Sequence, residues 1–353
     1  MTQPVVAVTG LNRGENPQPG YAVVRSLRRA RPGMTIVGLI YDAMESGIFA
    51  EDGPDCSYTI PYPTAGTPAL LERLDFILER HPVDILIPSL DAEIEPMIRL
   101  ESQLANRGIR TLLPSLEAFR ARAKPSLGKL CGGCGCETPR CEIATDLEEA
   151  VASAGELGYP VMVKGQYYDA HRAKNEAELA KAFHEISRMW GVPVLVQECI
   201  PGGEFNVTGI GDGRGGATGL CCVRKIILSS KGKGVAAVAL HEPRLEDVTR
   251  RIVGHLNWRG PFELELMHDE VADVFHVIEM NPRFPAWVDF PSSFGLNLPA
   301  QVVSLLTTGT ADPMPEVPAG RFFLRHQTEL FGSMDDIARL MTEGVWQPSR
   351  NRA

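Results

Sequence analysis

The segment FELELMHDEVADVFHVIEMNPR, residues 262–283, constrains this chain more tightly than any other stretch. Side chains alternate across a strand, so Glu263 and Glu265 share one face of FELEL, and Glu279 and Asn281 share one face of the return strand after the turn HDEVAD. A regular pleat adds Val277 to the face of Glu279 and puts Ile278 and Met280 behind it. With the turn centred near Val271 or Ala272, either Glu263 or Glu265 stands opposite Glu279; spacing alone leaves that register open. Carboxylates facing each other inside an apolar hairpin repel and are costly to desolvate unless a cation separates them. A hard ion such as Mg²⁺ suits the position, because it takes few carboxylates and is completed by phosphate oxygens and water. Arg283, set just past the strand by Pro282, offers a two-pronged donor for a phosphate or carboxylate. The face therefore suits a metal-bound polyphosphate; the alternative is a solvated sheet face matched by lysine and arginine neighbours.

The 353 residues are enough for two or three subdomains. Strand and helix patterns alternate through the first hundred: VVAVTG, the helix GYAVVRSLRRA, TIVGLIYD, DILIPS, the helix AEIEPMIRLESQLANRG and the strand IRTLLP. That order predicts a parallel sheet covered on both faces. The loop LNRGENPQPG follows the first strand at the carboxyl edge, where open parallel sheets bind ligands. Its Gly10, Gly14 and Gly20 are spaced too widely for a dinucleotide fingerprint, although Asp42 ends the second strand, and a substrate-side or structural role is the better expectation. Ser89, Asp91 and Glu93 lie at the same edge, as ligand contacts or as helix caps.

Beyond residue 115 the pattern becomes mixed α+β. Thr145 and Glu148 read as a capping box for a helix that Gly158 ends; YPVMVKG is a strand, Asn175 and Glu178 open a second helix, and VPVLVQEC is a strand again, together a small lid. GGEFNVTGIGD, ATGLCCVRKIIL and KGVAAVAL read as antiparallel strands, and the helix LEDVTRRIVGHLN leads into the hairpin.

A net charge of −9 and a pI near 5.5 provide no general attraction for nucleic acid or an anionic membrane. No leader-like start or bilayer-length apolar run is present, so a cytoplasmic location is expected. Cys131, Cys134, Cys136 and Cys141 cluster without a second ligand pair at zinc-ribbon spacing, which favours a tight helix end or loop over a metal. His241, His268, His276 and His326 form no ligand spacing, and no GxSxG, HExxH or P-loop occurs.

VIEMNPR, residues 277–283, with Glu265 fourteen positions before Glu279, resembles the ATP-grasp superfamily, and the wording is closest to the ATP-binding domain of the carbamoyl phosphate synthase large subunit. The resemblance implies a preATP-grasp parallel-sheet domain over 1–114 and a two-lobed ATP-grasp domain over 115–353, with the lid at about 139–200. It implies ATP and Mg²⁺, or Mn²⁺ in its place, with Glu265, Glu279 and Asn281 as metal ligands and Arg283 steadying the transferred phosphate. Lys124 and Lys164 would meet the nucleotide phosphates, the backbone of Glu198, Cys199 and Ile200 the adenine edge, and Glu204 the ribose. GQYYDAHRAKN departs from the family's glycine-rich phosphate loop, which leaves Arg224, Lys225, His171, Arg172, Lys174, Lys231 and Lys233 as substitutes or as a solvated rim. The implied reaction joins a small-molecule or peptide carboxylate to an amine or thiol acceptor through an acyl phosphate, in a homodimer by default, with Trp287 and Phe290 as acceptor contacts or as packing. A catalytically silent nucleotide-binding module, a phosphotransferase and, last, a nicotinamide-dependent oxidoreductase are the competing readings.

Overall fold

The structure is a computed structural model that describes residues 3–14, 16–165, 169–229 and 232–348. Four short parallel strands, β1 (Val6–Thr9), β2 (Ile36–Ile40), β3 (Cys56–Thr59) and β4 (Ile85–Ile87), form the first sheet in the order β3-β2-β1-β4. They are almost wholly buried, as strands covered by helices on both faces must be. Gly20 opens the helix Pro19–Ala30 where a Cβ would stand 1.8 Å from the carbonyl oxygen of Thr9, so its glycine serves close packing of helix on strand end. IRTLLP contributes a single bridge, Ile85 to Arg110, where a strand was expected. The strand Cys56–Thr59 and the helix Thr67–Leu78 escape the sequence reading, because CSYT carries no apolar period.

The second sheet is β5 (Cys141–Ala144), β6 (Val161–Gly165), β7 (Ala170–Ala173) and β8 (Val194–Glu198), in the order β5-β8-β6-β7. Its two helices, Leu147–Leu157 and Glu176–Trp190, cover one face, where Val161, Val163, Val194 and Val196 are buried. Asp146 caps the first helix by accepting from the Glu149 backbone, and Glu149 reaches back to Thr145, one residue later than the box expected at Thr145 and Glu148. Asn175 caps the second.

The largest sheet holds β9 (Gly202–Asp212), β10 (Ala217–Leu228), β11 (Gly234–Leu240), β12 (Arg259–Asp269), β13 (Val274–Asn281) and β14 (Phe322–Leu324), in the order β13-β12-β9-β10-β11-β14. One face packs Phe205, Val207, Leu264, Leu266 and the helix Pro243–His255. The other looks toward the first sheet and contributes Ile210, Val223 and Ala237 to a core shared with β1 and β2. The β12–β13 register pairs Glu265 with Glu279 and Glu263 with Asn281, then skips Ile278 so that Leu266 meets Val277. That bulge corrects the regular pleat: Val277 and Met280 both enter the core behind, and Val277 does not share the face of Glu279. β15 (Val345–Trp346) returns to pair with β3, so this segment belongs to the first sheet although it lies past residue 114.

Candidate active site

Alternation along the large sheet carries a polar set onto the face opposite its core: Glu204 and Asn206 from β9, Lys225 from β10, Glu263 and Glu265 from β12, Glu279 and Asn281 from β13. Lys225 is at the centre, paired with Glu204 and, at 3.0 Å, with the Glu265 carboxylate. Burial favours the uncharged form of Glu265, yet Lys225 and then Lys233 outweigh it and hold this carboxyl down at about 2. Burial pushes Glu204 up to about 6 against the pull of Lys225. Glu279 has its own cation, with Lys124 Nζ 3.4 Å away.

Glu263 is buried and ringed by donors. Asn206 Nδ2 donates to it at 2.6 Å, Trp287 Nε1 at 2.9 Å, Asn281 Nδ2 at 3.2 Å and Arg283 Nη1 at 3.5 Å. Burial raises its pKa and the Glu265 charge adds to that, while Arg283 and Lys225 oppose both. Asn281 also donates to Glu265 at 3.0 Å and accepts from Arg283 at 3.2 Å. Arg283 donates through Nε to Asp91 at 2.9 Å, from the edge of the first sheet. Together with Arg325 and the Trp287 ring, Lys225, Glu263, Glu265 and Arg283 line a cleft between the two sheets.

From the second sheet, Lys164 is near enough to interact with the charges of Lys124, Glu279 and Glu265. Lys164 of β6 alternates with the buried Val163 and is turned away from the lid core, half-buried. Burial and the charge of Lys124 lower its pKa, against the pull of Glu279.

The Glu265–Glu279 pair suits a hard divalent cation, with two carboxylates paired in register, one held ionised, on one sheet face. Asn281 fits less directly, since its oxygen already accepts from Arg283. Among the described residues no three His, Cys, Asp or Glu side chains gather where they could hold a metal ion.

No family model matches the sequence. Solved structures do resemble the fold. A biotin carboxylase from Campylobacter jejuni, determined as a β-γ-ATP complex, superposes with a TM-score of 0.68 at 19% identity, over 88% of this chain and 72% of that one. An L-amino acid ligase from Bacillus licheniformis gives 0.64 at 16%, over 87% and 75%. An N5-carboxyaminoimidazole synthase from Aspergillus clavatus, in complex with ADP, gives 0.65 at 15%, over 91% and 81%. The chain has the ATP-grasp fold.

Within this fold the expected residues divide into those that converge and those that do not. Lys124, Lys164, Glu204, Lys225, Glu265, Glu279, Asn281 and Arg283 meet at the cleft. Arg224 does not: one position from Lys225, it faces the opposite side, over the Phe205 ring and 3.6 Å from Glu270. Glu198 ends β8 and pairs with Arg140 at 3.3 Å, and Cys199 and Ile200 follow it in the link from the second sheet to β9 of the third. His171, Arg172 and Lys174 are exposed along the lid hairpin, Lys233 is close enough to Glu265 to act on its charge, and Lys231 lies outside the described residues. Ser89 and Asp91 do not cap the helix Asp91–Ala105, whose N-cap Leu90 has no side-chain bond. Trp287 and Phe290 are buried, Trp287 with its ring nitrogen on Glu263. The cysteine cluster divides: Cys131, Cys134 and Cys136 lie at a helix end, with Cys131 buried and Cys134 Sγ donating to the Leu130 carbonyl, while Cys141 opens β5.

Asn206 and Arg325 were missed. The alternation Glu204, Asn206 in GGEFNV carries the signal for the first; nothing in RFFLRH marks the second.

Proposed function

We propose that this chain is an ATP-dependent carboxylate ligase, joining a small-molecule or peptide carboxylate to an amine or thiol acceptor in the cytoplasm and releasing ADP and phosphate. The observation that carries the reading is the Glu265–Glu279 pair, facing across one register position with a lysine on each carboxylate. The nucleotide complexes of structures with this fold support it, as does the ligase named among them.

In this reading the phosphates lie between Lys124 and Lys164, and Glu265 and Glu279 hold the divalent cation. Mg²⁺, when bound, shields the charge of the transferred phosphoryl group. The substrate carboxylate attacks the γ-phosphorus in line, and Arg283 steadies the phosphoryl oxygens and then the acyl phosphate. The acceptor displaces phosphate, with catalysis resting on positioning and charge, so no covalent side-chain intermediate is required. Residues up to about 114 supply the substrate-side wall.

Phosphorus NMR of Mg·ATP with the purified protein and pools of carboxylates and amines tests the proposal. ADP and phosphate should form only with a productive pool. Glu279→Gln should lower that rate on the order of a hundredfold, the scale of losing a charge-stabilising contact, with the circular dichroism spectrum unchanged. AMP with pyrophosphate, or a Glu279→Gln variant as fast as the parent, would defeat the mechanism.

A further inference from the structure

Arg283 sits on the extension of β13, but its strongest anchor belongs to a different sheet. Its Nε and Nη2 both lie 2.9 Å from the same Asp91 oxygen, while its other acceptors are longer: Asn281 Oδ1 at 3.2 Å, the Phe284 carbonyl at 3.3 Å and Glu263 at 3.5 Å. Asp91 is the first residue of the helix Asp91–Ala105, which begins just after β4 at the carboxyl edge of the first sheet. The contact spans 192 positions of sequence and crosses the cleft. Arg122 reaches β13 from the same side, donating to the Met280 carbonyl at 3.2 Å. Burial works against charge on Asp91, and Arg283 followed by Arg122 outweighs it, so the carboxylate stays ionised.

From this geometry we infer that Asp91 is a positioning residue: it fixes the plane of the Arg283 guanidinium, and so makes the first sheet's edge a working part of the phosphate site. The inference rests on the ligase reading for its catalytic consequence, though not for its structural content. A guanidinium presents its donors in one plane, and holding the Nε edge determines where the remaining N–H groups point. Without a carboxylate at position 91, the nearest anionic acceptor is Glu263, deeper in the sheet face, and the fork turns toward it. A misplacement of about 1 Å in a catalytic group costs on the order of a hundredfold in rate.

The test combines two readouts on the full chain. Protein labelled with ¹⁵N-arginine should show a slowly exchanging Arg283 Nε–H, assigned by its disappearance in Arg283→Lys. Asp91→Asn should shift that resonance and speed its exchange, and Asp91→Glu should restore part of the protection. In turnover, Asp91→Asn should lower kcat roughly tenfold to a hundredfold while leaving KM for Mg·ATP within about threefold. In an Arg283→Lys background the same substitution should add less than about threefold, since the group it positions is gone. An Arg283 Nε–H indifferent to Asp91→Asn would overturn the inference, as would an undiminished kcat effect in the Arg283→Lys background. A parent protein that turns over no ATP, yet loses Nε–H protection in Asp91→Asn, would uphold the positioning and defeat the ligase reading instead.

Discussion

Glu93 illustrates how much a single residue must bear when folding buries it without a cation. Its carboxylate accepts the Thr9 hydroxyl at 2.6 Å, and it is almost wholly enclosed beneath the edge of the first sheet. Burial lifts its pKa from 4.5 to about 7, and the Thr9 hydroxyl and neighbouring donors only partly offset that. Because the folded value lies above the unfolded one, the protonated form is the one the fold prefers. Stability from this group is therefore full below the ordinary carboxyl pKa and is lost as pH climbs toward and through 7. The shift corresponds to roughly 3 kcal/mol at the alkaline end. Urea unfolding of the parent and of Glu93→Gln at pH 5 and pH 8 measures it: the parent should lose up to about 3 kcal/mol more than the variant across that interval. Parallel pH profiles for the two proteins would show that Glu93 is not perturbed.

At the scale of elements, the hairpin was legible because period-two alternation survives in FELEL and VIEMN, and the same alternation placed Glu265, Glu279 and Asn281 on one face. The bulge at Ile278 was not legible: an extra residue is selected by how Val277 and Met280 fill the core behind, which no local pattern records. Arg224 and Lys225 were equivalent in sequence, and which one enters the cleft depends on the register of β10 against β9 and β11. The outcome ties three strands together, since Lys225 joins Glu204 of β9 to Glu265 of β12. Removing the cation leaves two carboxylates facing each other with little water. Lys225→Met should therefore cost about 3 to 5 kcal/mol, and adding Glu204→Gln should recover part of the loss. Chemical denaturation of the single and double variants gives both numbers; a single variant as stable as the parent would mean that the Lys225 ion pairs add nothing to the ladders and packing that hold β9, β10 and β12.

For the whole molecule, the decisive feature is that a late segment returns to complete the first sheet. β15 lies antiparallel to β3, with Val345 opposite Tyr58 and Trp346 opposite Ser57. Trp346 is 3% exposed and meets the Phe49 ring edge-on at 5.5 Å. The Gly344 carbonyl accepts from the Thr59 backbone at 3.0 Å and from Arg73 at 2.7 Å. Between those ends the first and largest sheets share an apolar core, reinforced by Arg259 on Glu101 at 2.6 Å and Asn297 on the Ser26 carbonyl at 2.6 Å. A boundary near residue 114 thus separates two sheets in sequence that remain packed on one another through a shared core. Trp346→Ala should lower stability by about 3 to 5 kcal/mol, the usual cost of emptying a large aromatic site. The loss should appear first in the sheet that β15 completes. Hydrogen exchange should show β2 and β3 losing protection while β12 and β13 keep theirs, because among the described residues β15 pairs with β3 and with no strand of the large sheet. Uniform loss across both sheets would instead mean that the shared core makes the two units unfold as one, and the Asp91–Arg283 contact would then lie within a single cooperative body.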